Sequence, residues 1–176
     1  MTRVVLSIGS NLGDPLARLQ AAVDAVGDAV IAVSPVYETD AWGGVEQQPF
    51  LNAVMIAEAA GVDAHAWLRR AQAIELANQR ERVRKWGPRT LDIDLVTCAD
   101  GDTEVISADP VLTLPHPLAH RRAFVLIPWL AVEPAAQLMV AGRRRPVREL
   151  LAELDDDEPS GVRETDLRLV QKGGTG

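Results

Sequence analysis

The sequence predicts an α+β fold in which helices pack on an antiparallel sheet. Two segments have the apolar spacing of amphipathic helices, and four segments are rich in β-branched residues. These segments alternate along the chain in the order β-α-β-β-α-β. This order is typical of the ferredoxin-like sandwich, which carries its helices on one face of the sheet, and here a C-terminal extension follows it.

The first strand leads into a turn and a helix. RVVLSIG (3–9) is rich in β-branched residues and is followed by the turn residues SNLGDP, in which Asp14 and Pro15 can start a helix. Apolar residues then follow helical spacing from Leu16 and stop at Gly27. We therefore expect a helix of about three turns.

Two further strands are predicted in the middle of the chain, by AVIAVSPVYET (29–39) and FLNAVMIAEA (50–59). The segment between them, 40–49, contains Gly and Pro and is too long for a tight hairpin. Loops of this kind often bind ligands. Asp63 is expected to cap the second helix, over 64–79.

The strand LDIDLVT (91–97) completes the pattern, and ADGDTE (99–104) predicts a turn after it. HRRAFVLIPWLAVEP (120–134) predicts one more helix. From about Leu154 the chain is polar, with DDDEPSG (155–161) and QKGGTG (171–176). We therefore predict one domain over 1–153 and a poorly ordered tail over 154–176.

The composition limits the class of protein. The chain has 176 residues, of which 47% are apolar, enough for one domain with a sizeable core. Its net charge of −7 argues against general affinity for nucleic acid or anionic membranes. The single cysteine, Cys98, excludes an internal disulfide, favours the cytoplasm and is expected to pack as a small apolar residue. No apolar run is long enough for a signal peptide or membrane span, so we expect a soluble protein. We also expect a monomer.

Two carboxylates stand two residues apart in KWGPRTLDIDLV (85–96). Side chains at i and i+2 of a strand face the same way, so Asp92 and Asp94 should project together while the alternate aliphatic residues face the core. Like charges held side by side raise each other's pKa unless a cation lies between them, and oxygen ligands of this kind suit Mg²⁺. The alternative is a pair of solvated acids at a strand end.

An arginine-rich segment directly precedes the acids. It has five bases against the single acid Glu81, and these are Arg80, Arg82, Arg84, Lys85 and Arg89. Guanidinium groups match phosphate oxygens, and Mg²⁺ can bridge a polyphosphate to two carboxylates, so a nucleoside triphosphate fits both features. The alternative is a solvated helix end whose cations favour the helix dipole.

No P-loop sequence occurs, so phosphates would have to be bound in another way. His116 lies between two prolines and shortly before Arg121 and Arg122, which makes it a candidate ligand-binding residue, although a purely structural histidine is the alternative. His65 and His120 have no comparable context. Three scattered histidines do not indicate a zinc site.

A second candidate site lies on the predicted strand 50–59. Phe50 and Asn52 share a face of this strand, so an aromatic ring lies beside an amide that can both donate and accept hydrogen bonds. This pair suits a flat heterocycle. Phe124 and Trp86 are candidates for the opposite wall, and the alternative for each is a place in the core.

Taken together, four parts of the chain resemble the 6-hydroxymethyl-7,8-dihydropterin pyrophosphokinase family of folate biosynthesis. They are GSNLGDP (9–15), FLNAV (50–54), WGPRTLDIDLV (86–96) and LPHP with RRAFVL (114–126). The resemblance covers roughly residues 3 to 152, and its WGPR-TLD-D block is very specific. It implies a ferredoxin-like fold, two Mg²⁺ ions, and transfer of pyrophosphate from ATP to the hydroxymethyl group of a reduced pterin, with AMP released.

The resemblance also implies residue roles. Asp92 and Asp94 would hold both metal ions, and the catalytic residues would be Arg80, Arg82, Arg89, Asp92 and Asp94. The ATP site would comprise Gln72, Glu75, Arg80, Arg82, Trp86, Arg89, Thr113, His116 and Arg122. The pterin site would comprise Thr39, Trp42, Phe50, Asn52, Trp86 and Phe124, with the two phenylalanines enclosing the ring.

Three residues depart from the family pattern. Gln79 stands where a glycine usually precedes the first loop arginine, Phe50 where a tyrosine is common, and Pro117 where an aromatic residue often follows the histidine. These differences bear on loop mobility and binding strength more than on the reaction.

The residues alone leave two other functions open. A ferredoxin-like domain can be a small-molecule sensor without catalysis, but a sensor does not need paired carboxylates beside an arginine cluster. An RNA-binding domain could use the bases of 80–89 with Trp86 and Phe50 as stacking groups, and the negative net charge argues against it.

Overall fold

The computed structural model describes residues 1–40, 48–78 and 90–171. Its strands are β1 (Thr2–Ser10), β2 (Val30–Val33), β3 (Tyr37–Thr39), β4 (Phe50–Ala59), β5 (Asp92–Asp100), β6 (Thr103–Glu104), β7 (Ser107–Asp109), β8 (Leu112–Leu114), β9 (Gln137–Val140), β10 (Arg143–Pro146) and β11 (Val162–Glu164). Its helices are α1 (Pro15–Val26), α2 (Ala64–Ala77), α3 (Ala123–Val132), α4 (Val147–Ala152) and α5 (Asp157–Ser160).

Seven of the described strands form one antiparallel sheet, in the order β11-β3-β4-β1-β5-β6, with β2 also paired to β4. Strand β1 lies between β4 and β5, so Gly9 has Asn52 on one side and Asp92 on the other. The strand pairs β7-β8 and β9-β10 form two small sheets. The order of helices and strands and the antiparallel sheet confirm the predicted α+β, ferredoxin-like class.

Helices cover both faces of the main sheet. On the α1/α2 face, the core joins α1 and α2 to the sheet through Leu6, Ile8, Met55, Leu19 and Trp67. On the α3 face, α3 and α4 pack against Val5, Val54, Ile56 and Val96. The two helices of the predicted β-α-β-β-α-β unit, α1 and α2, lie on one face as expected, and α3 and α4 of the C-terminal extension cover the other face. The reason is that β1 and β4 present apolar side chains on both faces, and both faces therefore need cover.

The predicted helix starts are confirmed. The Asp14 side chain accepts a hydrogen bond from the N–H of Ala17 at 3.1 Å, with Pro15 in the first turn, and Asp63 accepts one from the N–H of Ala66 at 2.8 Å. Gly27 ends α1 with a φ of 69°, a conformation that favours glycine. No helix in the described ranges is long and apolar enough to cross a membrane.

Some boundaries differ from those predicted. The expected strand over 29–39 is divided into β2 and β3 around Ser34 and Pro35, because proline has no N–H for the ladder. The Ser34 hydroxyl accepts from the N–H of Val54 at 2.9 Å and so ties the break to β4. Strand β5 extends to Asp100, and α3 begins at Ala123 after a short 3-10 turn.

The segment beyond residue 153, for which the sequence predicts a poorly ordered tail, contains secondary structure within the described residues. It contains α5 and then β11, which pairs with β3 at the edge of the main sheet. Further along, the side chain of Gln20 on α1 binds the backbone N–H and C=O of Val170, both at 2.8 Å. Backbone pairing with β3 and hydrogen bonds to the Gln20 side chain attach this segment to the domain, so it does not need a large apolar surface to pack there.

Candidate active site

Asp92 and Asp94 begin strand β5 on the α3 face of the sheet. The alternate residues of the strand are buried on the other face, as its period of two predicted: Leu91, Ile93 and Leu95. Asp92 lies opposite Gly9, and Asp94 lies opposite Ser7, in the pairing with β1. The Asp94 side chain is 46% exposed, so a ligand can approach it from solvent.

The start of α3 brings a guanidinium group to these acids. Arg122 precedes the helix, and its Nη1 lies 3.6 Å from Oδ2 of Asp94. The same guanidinium lies over the ring of Phe124, 5.5 Å from its centre. Because a guanidinium has five N–H donors, these contacts leave donors for an anionic ligand.

His116 is held next to this cluster by the backbone. Its N–H donates to the carbonyl of Val96 at 2.9 Å, and its Nδ1 accepts from the N–H of Leu118 at 3.1 Å. Burial lowers the pKa of His116 below its ordinary 6.5; Asp94 opposes this shift and Arg122 adds to it. A neutral ring whose Nδ1 accepts carries its hydrogen on Nε2. His116 can therefore donate one hydrogen bond to a ligand oxygen.

Thr39, Phe50 and Asn52 form a second group on the α3 face, which we call the Asn52 slot. Asn52 is buried, and its Nδ2 donates to Oγ1 of Thr39 at 2.5 Å. Phe50 pairs with Thr39 across β3 and β4 and is partly exposed. Phe124, in the first turn of α3, is also partly exposed. An aromatic ring and an amide with a fixed orientation are thus available to a planar ligand.

Polar residues that follow Gly9 have a role that the sequence did not reveal. The hydroxyl of Ser10 donates to the carbonyl of Thr90, and Nδ2 of Asn11 donates to the carbonyl of Gln48 at 3.3 Å. Both side chains are buried. They tie the end of β1 to the chain just before β4 and just before β5. The sequence did offer an indication of this role, because Ser10 and Asn11 are polar residues at the end of the buried strand β1.

Other residues expected at an ATP site lie on different elements. Glu75 is on α2, across the sheet from the acids, and its Oε2 accepts from the N–H of Ile93 at 3.4 Å, next to Asp92. Gln72 is exposed on the same helix. Thr113 is exposed on β8, and its hydroxyl donates to the carbonyl of Asp109 at 3.2 Å. The remaining predicted residues lie outside the described ranges: Trp42, Arg80, Arg82, Trp86 and Arg89.

A protein-family model described as 7,8-dihydro-6-hydroxymethylpterin-pyrophosphokinase (HPPK) matches residues 5–134. The chain belongs to this family. Two curated relatives named 2-amino-4-hydroxy-6-hydroxymethyldihydropteridine pyrophosphokinase are each 58% identical to it. The one from Mycobacterium tuberculosis (strain ATCC 25618 / H37Rv) aligns with 93% of this chain and 89% of its own length. The one from Mycobacterium leprae (strain TN) aligns with 98% and 93%.

Solved structures support the HPPK fold. The chain of wild-type Plasmodium falciparum HPPK-DHPS with SDX-DHP superposes with a TM-score of 0.63 at 13% identity. The match covers 86% of the present HPPK-family chain and 44% of the Plasmodium chain, so this protein spans less than half of that longer chain. At 13% identity this similarity is evidence for the fold alone. It agrees with the antiparallel sheet and flanking helices described above.

Proposed function

We propose that this HPPK-family protein transfers pyrophosphate from ATP to 6-hydroxymethyl-7,8-dihydropterin in folate biosynthesis, using the α3 face of the sheet. The family match and the shared name of its relatives support the reaction. The observation that carries the site is that Gly9 alone separates Asn52 from Asp92 in the strand pairing. Two strand spacings put their backbones about 10 Å apart. Because glycine has no side chain, β1 places none between the Asn52 amide and the acids.

If AMP is the product, the β- and γ-phosphates are transferred together, and this fixes which bonds form and break. The hydroxymethyl oxygen forms a bond to the β-phosphorus of ATP and loses its proton. The bond between that phosphorus and the oxygen bridging to the α-phosphate breaks, and AMP leaves. Phosphoryl transfer of this kind depends mainly on positioning and on charge stabilisation. The protein must therefore hold the pterin hydroxyl in line with the bond that breaks.

We propose that Asp92 and Asp94 together hold two Mg²⁺ ions. The donor set fits this metal, because both groups are carboxylates on one strand face and at least Asp94 is open to solvent. In the described part of the chain no third acid, histidine or cysteine joins them in a cluster. Mg²⁺ is commonly held by one or two carboxylates together with substrate phosphates and water. When bound, it would neutralise charge on the polyphosphate.

The remaining groups are assigned by their chemistry. Arg122 would donate to phosphate oxygens from beside Asp94, and His116 would donate from Nε2. From the sequence resemblance we also assign phosphate contacts to Arg80, Arg82 and Arg89, the rest of the nucleotide to Gln72, Glu75, Thr113 and Trp86, and the pterin to the Asn52 slot with Phe124, Trp42 and Trp86.

The decisive experiment is an assay of the nucleotide product. The protein is incubated with ATP, Mg²⁺ and 6-hydroxymethyl-7,8-dihydropterin, and AMP is expected in equal amount to the pterin diphosphate. ADP would instead indicate an ordinary kinase. Isothermal titration tests the two other functions, because a sensor would bind pterin without turnover and an RNA-binding domain would bind single-stranded RNA.

We further propose that the protein works as a monomer in the cytoplasm. ATP and a reduced pterin are cytoplasmic substrates, and the buried thiol of Cys98 suits a reducing compartment. Light scattering at the protein concentration of the assay tests this, and a monomer should give a molar mass of 19.0 kDa.

A further inference from the structure

The C-terminal strand β11 supports the edge of the sheet that carries Thr39. Strand β3 has three residues and lies between β4 and β11. In the pairing with β11, Thr39 lies opposite Val162, and Glu38 lies opposite Arg163. A strand this short has few ladder hydrogen bonds to β4, so a second neighbour contributes much of what fixes its position.

The side chain of Arg163 on β11 contacts two carboxylates on and beside β3. Its Nη2 lies 2.9 Å from Oε1 of Glu38 and 2.9 Å from Oδ1 of Asp40. These two carboxylates flank Thr39 in the sequence. The hydrogen bond from Arg163 lowers the pKa of Asp40, which therefore stays ionised well below neutral pH. One guanidinium thus holds the chain on both sides of Thr39.

The start of β3 is held by the same C-terminal segment. The hydroxyl of Thr165 donates to the carbonyl of Val36 at 2.7 Å, and the N–H of Thr165 donates to the same carbonyl at 3.1 Å. The N–H of Val36 donates to the carbonyl of Leu167 at 3.3 Å. Residues 162–167 therefore fix β3 at its first and last residues.

The two faces of β3 have different partners. Thr39 and Tyr37 are buried, and Thr39 accepts the hydrogen bond that orients the Asn52 amide. Glu38 alternates with them and points to the other face, where Arg163 is. Arg163 therefore acts behind the Asn52 slot and does not need to touch a ligand in it. Its influence on that slot passes through the position of Thr39.

We propose that Arg163 is a positioning residue for the pterin site, which fixes β3 so that Thr39 holds the Asn52 amide in the orientation that binds the heterocycle. This inference rests on the proposed function, because it takes the Asn52 slot to be where the pterin binds. According to this inference, the C-terminal segment contributes to pterin affinity as well as adding the edge strand of the sheet.

The test compares Arg163→Ala with the matched control Arg168→Ala. Arg168 lies on the same segment and also pairs with a carboxylate, Glu164 at 3.5 Å, but it does not contact Glu38 or Asp40 in the described contacts. We expect Arg163→Ala to raise the KM for pterin roughly three- to tenfold, the size of effects transmitted through a structural network. The KM for ATP should change by less than about twofold, and Arg168→Ala should leave both constants unchanged.

Two further variants separate positioning from general loss of structure. Arg163 reaches both carboxylates from one nitrogen, Nη2. Arg163→Lys keeps the charge and several N–H donors on one nitrogen but has a shorter side chain, so it should restore part of the pterin affinity. Asp40→Asn should raise the KM for pterin, and its effect should not add to that of Arg163→Ala, since both remove the same contact. Melting temperatures are measured on all variants. An unchanged pterin KM in Arg163→Ala, or equal losses for both substrates, would overturn the inference.

The same experiments distinguish this inference from the proposed function. If the unaltered protein makes no AMP and binds no pterin, the proposed function fails. If the unaltered protein is active and Phe50→Ala loses pterin affinity while Arg163→Ala does not, the function stands and Arg163 is not a positioning residue.

Discussion

Gly9 and Asn52 approach each other so closely that any side chain at position 9 would have to displace the Asn52 amide. A Cβ atom built there would lie 2.7 Å from Oδ1 of Asn52, well inside van der Waals contact. The two residues are direct partners across β1 and β4. The absence of a side chain at position 9 therefore leaves room for the Asn52 amide, which in turn reaches Thr39.

The first prediction is that Gly9→Ala impairs pterin binding more than it impairs folding. The added methyl group must displace the Asn52 amide, which is the end of a side chain and can move. We expect pterin affinity to fall about tenfold, the effect of one misplaced hydrogen bond, with less than ~1 kcal/mol lost from the free energy of unfolding. Isothermal titration with pterin and urea unfolding measure the two quantities.

A matched glycine provides the control. At Gly161 the nearest atom to an added Cβ would be 3.6 Å away, and φ is −78°, which suits any residue. Gly161→Ala should keep pterin affinity and change stability by at most about 1 kcal/mol, in the favourable direction. If Gly9→Ala behaves like Gly161→Ala, the close approach has no part in the site.

The second prediction is that Asp92→Ala or Asp94→Ala abolishes turnover with the fold intact. Each removes a carboxylate proposed to hold Mg²⁺, whose stabilisation of developing charge is worth several kcal/mol. Asp100→Ala is the control, because Asp100 lies at the other end of β5 and is 76% exposed. Steady-state AMP production and Mg²⁺ titration are the measurements. Near-normal activity of either variant at saturating Mg²⁺ would exclude the pair as the metal site.

The third prediction separates the two faces of β4. Phe50→Ala should weaken pterin binding by roughly 1 to 3 kcal/mol, the range for losing a stacking partner, and should leave ATP affinity nearly unchanged. Leu51, the next residue, packs towards the α1/α2 core. Leu51→Ala should lower the melting temperature and spare pterin affinity. Equal losses for ATP and pterin in Phe50→Ala would show that the slot is not selective for the pterin.

The fourth prediction concerns pH and Cys98. Burial, with Asp100 and Asp63 adding to it, raises the pKa of Cys98 from 9.0 to about 11. Between these two values the folded chain binds more protons than the unfolded chain. The free energy of unfolding therefore contains a contribution that is lost as pH rises through this window.

Urea unfolding from pH 8 to pH 11 tests this, with Cys98→Ala as the comparison, because other groups titrate in both proteins. The unaltered protein should lose stability more steeply above pH 9 than Cys98→Ala. A thiol reagent at pH 8 should label Cys98 only on the timescale of unfolding. Rapid labelling of the folded protein would show that the thiol is accessible.

The features that depend on local patterns could be predicted from the sequence. The alternation in β5 predicted that Asp92 and Asp94 share a face, because burial of the intervening residues leaves no other arrangement. The helix caps at Asp14 and Asp63 were also predictable, since capping is a local interaction. The second helical layer was missed, although continuous apolar runs in β1 and β4 are typical of strands buried on both faces.

The C-terminal strand could not be predicted from its residues. β11 has no apolar period, and its pairing with β3 depends on backbone hydrogen bonds and on charges far away in the chain. The contact between Arg122 and Asp94 is also invisible in the sequence spacing, because it depends on how α3 crosses the sheet. Non-local contacts of both kinds depend on tertiary structure, which local patterns do not encode.

The pairing of β3 with β11 also has a consequence for synthesis of the chain. Asp40 and Arg163 are 123 residues apart, so at about 5 to 20 residues per second a ribosome makes β3 roughly 6 to 25 s before its partner. During that interval the outer edge of β3 is exposed, and exposed edges can pair with other nascent chains. Glu38 and Asp40 stand at that edge and would repel the same edge of a second copy. We therefore expect the carboxylates that later bind Arg163 to disfavour pairing between the open edges of two unfinished chains.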